Sequence, residues 1–66
     1  MKVIVNGKEM SFETEITIDN LLKSLGIDKD KVVVEVNFEI VPKEKYTDRI
    51  INKEDKVEIV SFVGGG

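Results

Sequence analysis

The sequence predicts an α+β fold in which one main helix packs on one face of a small mixed sheet of roughly four to five strands. Only one segment, ITIDNLLKSLGI, has the apolar spacing of an amphipathic helix, whereas several short segments alternate apolar and polar residues as half-buried strands do. The chain has 66 residues, which suits one small domain. We expect residues 1–63 to form a β-rich domain and residues 64–66 to form a flexible C-terminal glycine tail.

The segment KVIVNGKEMSF near the start indicates a β-hairpin. Asn6 and Gly7 favour a two-residue type I′ turn, because both residue types tolerate positive φ angles. Such a turn fixes the register of the two strands and sets Val3 opposite Met10. The apolar side chains then share one face, which we predict to face the core: Met1, Val3, Val5, Met10 and Phe12.

The segment ITIDNLLKSLGI is predicted to be a short helix, because its apolar residues follow the i, i+3, i+4, i+7 spacing of one buried stripe. The stripe consists of Ile18, Leu21, Leu22 and Leu25. Thr17 can cap the N-terminus by accepting a backbone hydrogen bond. Gly26 stands where a left-handed residue ends a helix, and Ile27 can then fold back on the last turn.

Two further strands and an irregular segment are predicted to follow the helix. KVVVEVN indicates a third strand whose buried face carries Val32, Val34 and Val36, and EIVP indicates a short edge strand ended by a proline. Residues 43–56 are polar and lack a period, so we expect an irregular connection there. Its apolar side chains are predicted to anchor it to the core: Tyr46, Ile50 and Ile51.

The segment KVEIVSFV predicts the last strand, in which alternation separates two faces. The core face carries Val57 and Ile59, and the opposite face carries Glu58, Val60 and Phe62. Both the N-terminal hairpin and this strand need a partner in the sheet. Parallel pairing of the first strand with the last one meets both needs, and the element order then gives a ubiquitin-like β-grasp.

The composition excludes several kinds of site. The chain has no cysteine and no histidine, so it lacks a thiol nucleophile, a zinc-thiolate ligand and the usual general base at neutral pH. Its net charge is −3, without the basic footprint of a nucleic-acid binder. No segment approaches the roughly 20 apolar residues of a membrane span, and the N-terminal apolar run is too short for a signal peptide. We therefore expect a complete, cytoplasmic protein that binds neither nucleic acid nor membrane.

The glycines at the end of the chain, Gly64, Gly65 and Gly66, are the strongest candidate for a functional site. Glycine has no side chain, so such a tail can thread a channel only as wide as a peptide backbone. Three extended residues reach about 10 Å, and the group that this reach delivers is the terminal carboxylate. ATP can activate a carboxylate by adenylation, and the resulting acyl-adenylate must be shielded from water inside a partner enzyme.

Several stretches of the chain resemble the ThiS family, the small sulfur carriers of thiamin thiazole synthesis. They are VNGKE near the start, the helix IDNLLKSLGI, the strand and turn VVVEVNFEIVPKEKY, and the end DKVEIVSFVGGG. The similarity covers essentially the whole chain, and its mechanistically specific part is the terminal pair Gly65-Gly66. One departure is Glu54, which stands where the family often has a glycine before the last strand.

The resemblance implies a mechanism and a set of partners. A ThiF-like adenylating enzyme of the ubiquitin-activating type would use ATP to couple Gly66 to AMP, with Gly64 and Gly65 threading its active site. A persulfide sulfur donor would replace AMP and leave Gly66 as a thiocarboxylate, which a ThiG-like thiazole synthase would use. On this interpretation the chain is a protein cosubstrate and not an enzyme. It has no catalytic residue or metal of its own, and it binds no cofactor stably.

A tail of glycine offers a partner almost no side-chain contact, so the folded domain must supply the affinity. Val33, Val60 and Phe62 lie on the sheet face that the predicted helix leaves uncovered. In a β-grasp sheet the third strand neighbours the last one, so Val33 and Val60 should lie close together. We predict that these residues form a docking patch beside the root of the tail, the alternative being scattered surface residues.

Other functions are compatible with the same residues. The carrier could serve molybdopterin synthesis or tRNA thiolation instead of thiazole formation. The activated glycine could also be captured by a lysine amine, as in a ubiquitin-like protein modifier, and its isopeptide product would then resist reducing agents. A non-catalytic β-grasp adaptor is a further alternative, which would still work after Gly65 and Gly66 are deleted.

Overall fold

The chain forms a main sheet, a small second sheet and one α-helix within residues 1–62, which the computed structural model describes. Val63 and the predicted tail, residues 64–66, lie outside the described residues. In chain order, the elements are β1 (Lys2–Val5), β2 (Lys8–Ser11), β3 (Ile16–Thr17), α1 (Ile18–Leu25), β4 (Val32–Val36), β5 (Glu39–Ile40), β6 (Ile50–Ile51) and β7 (Lys56–Ser61). Short 3₁₀ helices at Lys29–Lys31 and Lys43–Lys45 precede β4 and follow β5.

The main sheet has five strands in the order β2-β1-β7-β4-β5. β7 therefore lies in the centre, where it runs parallel to β1 and antiparallel to β4. One face of this sheet and α1 together enclose the core, which consists of Val3, Val5, Ile18, Leu21, Leu22, Val32, Val34, Val36, Tyr46, Ile51, Val57 and Ile59. The arrangement is the ubiquitin-like β-grasp that the element order predicted, and the predicted parallel pairing of β1 with β7 is confirmed.

The β1–β2 hairpin has the predicted turn and the predicted register. Asn6 and Gly7 have φ angles of 48° and 81°, as a type I′ turn requires, and Val3 lies opposite Met10. Val3 and Val5 are buried, whereas the other apolar residues of this face are partly buried against the core: Met1, Met10 and Phe12. The chemistry of the turn therefore selects which apolar side chains reach the interior.

The side chain of Asn6 ties the hairpin turn to the central strand. Its Oδ1 accepts a hydrogen bond from the backbone N–H of Ile59 at 2.7 Å, and its Nδ2 donates to the carbonyl oxygen of Ile59 at 3.3 Å. The backbone N–H of Asn6 donates to the carbonyl oxygen of Val57 at 2.8 Å. The amide side chain therefore continues the β1–β7 ladder after the main chain of β1 has turned away, and it satisfies backbone groups of β7 that the strand pairing no longer reaches.

Capping residues set both ends of α1, as the sequence predicts. The backbone N–H of Asn20 donates to Oγ1 of Thr17 at 3.1 Å. Gly26 ends the helix with a left-handed φ angle of 70°. The backbone N–H of Ile27 donates a hydrogen bond to the carbonyl oxygen of Leu22 at 2.9 Å. These bonds fix the length of the helix and hence the side chains that it presents to the sheet.

Two of the residues predicted to lie in the core are exposed instead. Leu25 is 38% exposed, because the last turn of α1 reaches the rim of the sheet and lines an open groove with Met10 and Ile27. Ile50 is 43% exposed, because side chains alternate along β6 and Ile51 takes the buried position. The predictions of burial for Leu25 and Ile50 are therefore wrong, whereas those for Tyr46 and Ile51 are confirmed.

The small second sheet joins the entry of α1 to the segment that the sequence left irregular. β3 pairs with β6 in antiparallel orientation, with Ile16 opposite Ile51. The backbone N–H of Ile18 continues this contact by donating to the carbonyl oxygen of Arg49 at 3.1 Å. The helix is thus held at its N-terminus by backbone hydrogen bonds to a segment distant in sequence.

The turn before β7 holds a residue with a side chain in the left-handed region. Glu54 has a φ angle of 67°, and its N–H donates to the carbonyl oxygen of Lys2 at 2.7 Å. Oδ2 of Asp55 accepts a hydrogen bond from the backbone N–H of Asn52 at 2.8 Å and closes the turn. These hydrogen bonds hold Glu54 in a conformation that is strained for any residue with a Cβ atom.

We expect Glu54→Gly to raise the free energy of unfolding by about 0.5–1.5 kcal/mol, because glycine adopts a positive φ angle without steric cost. The greater freedom of glycine in the unfolded chain offsets part of this gain. Urea unfolding measures the change. Lys53→Gly is the matched control. Lys53 has no positive φ angle, so the same substitution there should lower the free energy of unfolding. Equal effects at the two positions would contradict the strain at Glu54.

Candidate functional site

The structure fixes the point from which the predicted tail continues, although residues 64–66 themselves lie outside the described residues. β7 ends at Ser61, and the backbone N–H of Phe62 donates to the carbonyl oxygen of Lys31 at 3.1 Å. Phe62 is thus held beside the 3₁₀ helix Lys29–Lys31, at the start of β4. We call this place the tail root.

The face of the main sheet that α1 leaves uncovered, the outer face, carries the residues of the predicted docking patch. Val33 on β4 lies directly opposite Val60 on β7, and Phe62 follows directly after the end of β7. Val60 and Phe62 are 52% and 49% exposed, whereas Val33 is half-buried. The structure therefore brings the patch together at the tail root, and its role in docking stays a prediction.

The sequence analysis placed Glu58 on the outer face but did not identify the cross-strand pair that it forms with Glu35. Glu35 lies opposite Glu58 on β7, and on its other side it lies opposite Ile40 on β5, which is 68% exposed. A signal for the acidic pair was present in the sequence. Once Val33 pairs with Val60 in antiparallel strands, the residues two positions away, Glu35 and Glu58, must also face each other.

An ion pair connects the two 3₁₀ helices close to the tail root. Nζ of Lys43 lies 2.7 Å from Oδ1 of Asp30. The hydrogen bond from Lys43, aided by its charge, holds the pKa of Asp30 below its usual value, and the hydrogen bond to Asp30 raises the pKa of Lys43. Because both side chains remain largely exposed to solvent, the pair contributes little to stability and is sensitive to salt.

We expect Lys43→Gln to raise the pKa of Asp30 toward its usual value. Since folding depresses this pKa, the stabilisation by the pair is fully present above the unfolded-state pKa of Asp30, and it is lost as the pH falls through the lower folded-state pKa. NMR titration of the Asp30 carboxyl group measures the shift. Lys45→Gln is the control, because Lys45 forms no ion pair within residues 1–62. The ion pair would be refuted by an Asp30 pKa that stays the same in the Lys43 variant.

The outer face combines exposed apolar side chains with a pair of carboxylates beside them. Within residues 1–62, no group of three or more Asp, Glu, His or Cys side chains is placed to hold a metal ion. No α-helix of this part of the chain is long and apolar enough to cross a membrane.

Comparison with known families and proteins gives consistent matches. The model of the ThiS family matches residues 3–66. The sulfur carrier protein ThiS of Bacillus subtilis strain 168 is 41% identical over 63 residues, which covers 94% of this chain and 96% of that protein. A thiazole synthase of Paramagnetospirillum magneticum is 50% identical over 66 residues, which is 100% of this chain and 20% of that protein. The chain therefore spans about a fifth of the length of this thiazole synthase.

Solved structures of similar proteins share the fold. The crystal structure of the thiamine biosynthesis protein ThiS from Geobacter metallireducens matches with a TM-score of 0.85 at 30% identity, covering 100% of both chains. A solution NMR structure of a thiamine biosynthesis protein from the same organism matches with a TM-score of 0.81 at 29% identity, covering 100% of this chain and 88% of that chain. The central position of β7 thus belongs to a fold that these proteins have in common.

Proposed function

Because the chain belongs to the ThiS family, we propose that it carries sulfur for thiamin biosynthesis as a thiocarboxylate on Gly66. The observation that supports this proposal most directly is the extent of the family match, which runs through Gly66 and so includes the end that reacts. The outer face gives further support, because an exposed apolar patch lies where a partner must bind in order to receive the tail.

In the proposed first step, the carboxylate of Gly66 attacks the α-phosphorus of ATP inside a ThiF-like adenylating enzyme. A carboxylate oxygen forms the new P–O bond, pyrophosphate leaves, and Gly66 becomes an acyl-adenylate. Because Gly64 and Gly65 have no side chains, they can occupy a channel narrow enough to keep water from this intermediate. The partner enzyme binds the ATP, and the carrier serves as its protein substrate.

In the proposed second step, the terminal sulfur of a cysteine persulfide attacks the carbonyl carbon of Gly66, and AMP leaves. The product is an acyl disulfide between the carrier and the donor. A second thiol then attacks the cysteine sulfur, which releases the thiocarboxylate and leaves a new disulfide behind. This chain has no cysteine, so the thiols come from other proteins or small thiols. Such chemistry suits the reducing cytoplasm, which is the location we propose.

A ThiG-like thiazole synthase is the proposed acceptor of the sulfur. The protein of Paramagnetospirillum magneticum that is named thiazole synthase contains a segment similar to the whole of this chain. A carrier-like segment within such a protein would keep the sulfur close to the enzyme that uses it. This similarity supports the pairing of the present carrier with a thiazole synthase, either as two separate proteins or as two parts of one protein.

Intact-mass spectrometry tests the proposed function. The chain is incubated with ATP, a ThiF-like enzyme and a persulfide donor, and we expect a mass increase of one oxygen-to-sulfur exchange at the C-terminus that depends on ATP. A cross-linked product that resists reducing agents would identify a protein modifier instead. A chain that binds its partner but never changes mass, and that binds equally well without Gly65 and Gly66, would be an adaptor.

A further inference from the structure

The outer face holds a pair of like charges that the described chain does not neutralise. Glu35 and Glu58 lie directly opposite each other on β4 and β7, where opposed Cβ atoms are about 4.5–5.5 Å apart and like charges destabilise a sheet. The ion pairs within residues 1–62 use other carboxylates, those of Glu9, Asp19 and Asp30. The two glutamates therefore repel each other in the isolated protein.

Apolar side chains flank this acidic pair on the outer face. Val33 and Val60 form the next cross-strand pair on one side, and Ile40 lies opposite Glu35 on β5. Glu35 is half-buried, whereas Glu58 is exposed. Two carboxylates on neighbouring strands, one of them half-buried, can both be contacted by one approaching cation.

A lysine of the same face does not provide that cation. Lys56 precedes Glu58 by two positions on β7, so both side chains point to the outer face. Nζ of Lys56 lies 5.9 Å from the centroid of the Phe38 ring, and within residues 1–62 it forms no ion pair with Glu58. The charge of the acidic pair is thus available to a partner.

We propose that Glu35 and Glu58 receive an arginine of the adenylating enzyme, set in an apolar surface that covers the docking patch. The proposal rests on the proposed function for the identity of the partner. A guanidinium is planar and carries several donors, so it can hydrogen-bond to both carboxylates at once while its neighbours contact Val33, Val60 and Ile40. Docking also excludes water, which strengthens the attraction between the opposite charges.

This arrangement makes stability and binding respond in opposite directions to loss of charge. Repulsion between the glutamates weakens the isolated carrier, whereas attraction to the arginine strengthens the complex. A single Glu→Gln substitution already ends the repulsion, because only one charge remains. The second substitution then adds little stability but removes the remaining attraction to the partner. A purely structural role of the glutamates would not produce this divergence.

The test compares Glu35→Gln, Glu58→Gln and the double variant with the wild-type chain. Either single variant should raise the unfolding temperature by about 1–5 °C, and the double variant should rise little further. The dissociation constant for the adenylating enzyme, measured by calorimetry, should increase with each substitution and reach about 10- to 100-fold in the double variant. Its dependence on salt should weaken in the same order.

Glu13→Gln with Glu15→Gln is the matched control for net charge. Both residues are exposed between β2 and β3 and form no ion pair within residues 1–62, so this control should bind as the wild type does. If the wild-type chain gains sulfur in the mass assay but the Glu35–Glu58 double variant binds with unchanged affinity, the acidic docking site is wrong and the proposed function stands. If the wild-type chain neither binds the enzyme nor reacts, both are wrong.

Discussion

Removing Gly66 should abolish adenylation and leave the folded domain intact. The shortened chain still ends in a glycine carboxylate, so the reactive group is chemically unchanged. It is withdrawn, however, by about 3.3–3.6 Å, the length of one extended residue. A displacement of about 1 Å in an active site can already cost roughly 100-fold in rate, and we expect at least this loss here. The buried core ends at Ile59, so the unfolding temperature should not change.

Adding one alanine after Gly66 should also abolish adenylation, because it displaces the terminal carboxylate by one residue in the opposite direction. The carboxylate of Gly66 becomes a peptide bond, and the new carboxylate lies one residue too far along the channel. ATP–pyrophosphate exchange measures adenylation in both variants. Competition with the wild-type chain measures docking, which should be retained because the outer face is unchanged. Normal adenylation of the extended chain would refute the proposed role of Gly66.

Replacing Val33 and Val60 together by aspartate should keep the protein folded and prevent its capture by the adenylating enzyme. The two residues face each other on the outer face, away from α1. Burial of a valine side chain at an interface contributes at most about 1.5–3 kcal/mol, so loss of both should weaken binding by about tens- to thousands-fold. Covering the new carboxylates with an apolar partner surface would also cost desolvation free energy.

Two further variants make this result interpretable. Leu25→Asp is the control, because Leu25 is a comparably exposed apolar residue, at 38%, on the helix that covers the opposite face of the sheet. It should leave the affinity unchanged. Val33→Thr with Val60→Thr keeps the shape and the β-propensity of the pair. This variant tests the docking patch if the aspartates, which lie beside Glu35 and Glu58, unfold the domain. A folded threonine variant with wild-type affinity would show that the patch is ordinary surface.

Local signals in the sequence were sufficient for the hairpin, for the ends of α1 and for the faces of the main strands. Asn6 and Gly7 impose a turn type that fixes the register of β1 and β2, and the caps at Thr17 and Gly26 leave little freedom in the length of the helix. In these segments the turn chemistry, the hydrophobic period and the tertiary packing all favour the same structure. Agreement of this kind makes a segment predictable from its own residues.

The second sheet could not be predicted, because its strands are only two residues long. Ile16–Thr17 and Ile50–Ile51 are too short to show an alternation of apolar and polar residues. The sequence therefore does not indicate that Ile51 is buried and Ile50 exposed. The pairing itself joins segments that are far apart in the sequence. Only the packing of the whole chain decides such a contact.

The parts of the candidate site that depend on the alternation of side chains along a strand were predictable from the sequence. The turn with positive φ angles between β4 and β5 was not. Alternation placed Val33 and Val60 on one face, and with the register it would also have given the Glu35–Glu58 pair. Phe38 has a φ angle of 72°, which is unusual for a bulky residue, and it turns the chain from β4 into β5, where Ile40 is exposed. Asn37, with a φ angle of 51°, is a residue type that favours such a turn, but Phe38 is not, so the sequence indicates this turn less clearly than the one at Asn6 and Gly7.

The central position of β7 bears on how the protein is synthesised. The ribosome makes β7 last among the described strands, yet both β1 and β4 need it as their neighbour. Because the pairing of Ile4 with Lys56 spans most of the described chain, the sheet cannot close before β7 has been synthesised. A product broken off before β7 would expose two strand edges and be removed by proteases. Folding therefore depends on complete synthesis of β7, since only chains translated past Ser61 can form the whole outer face.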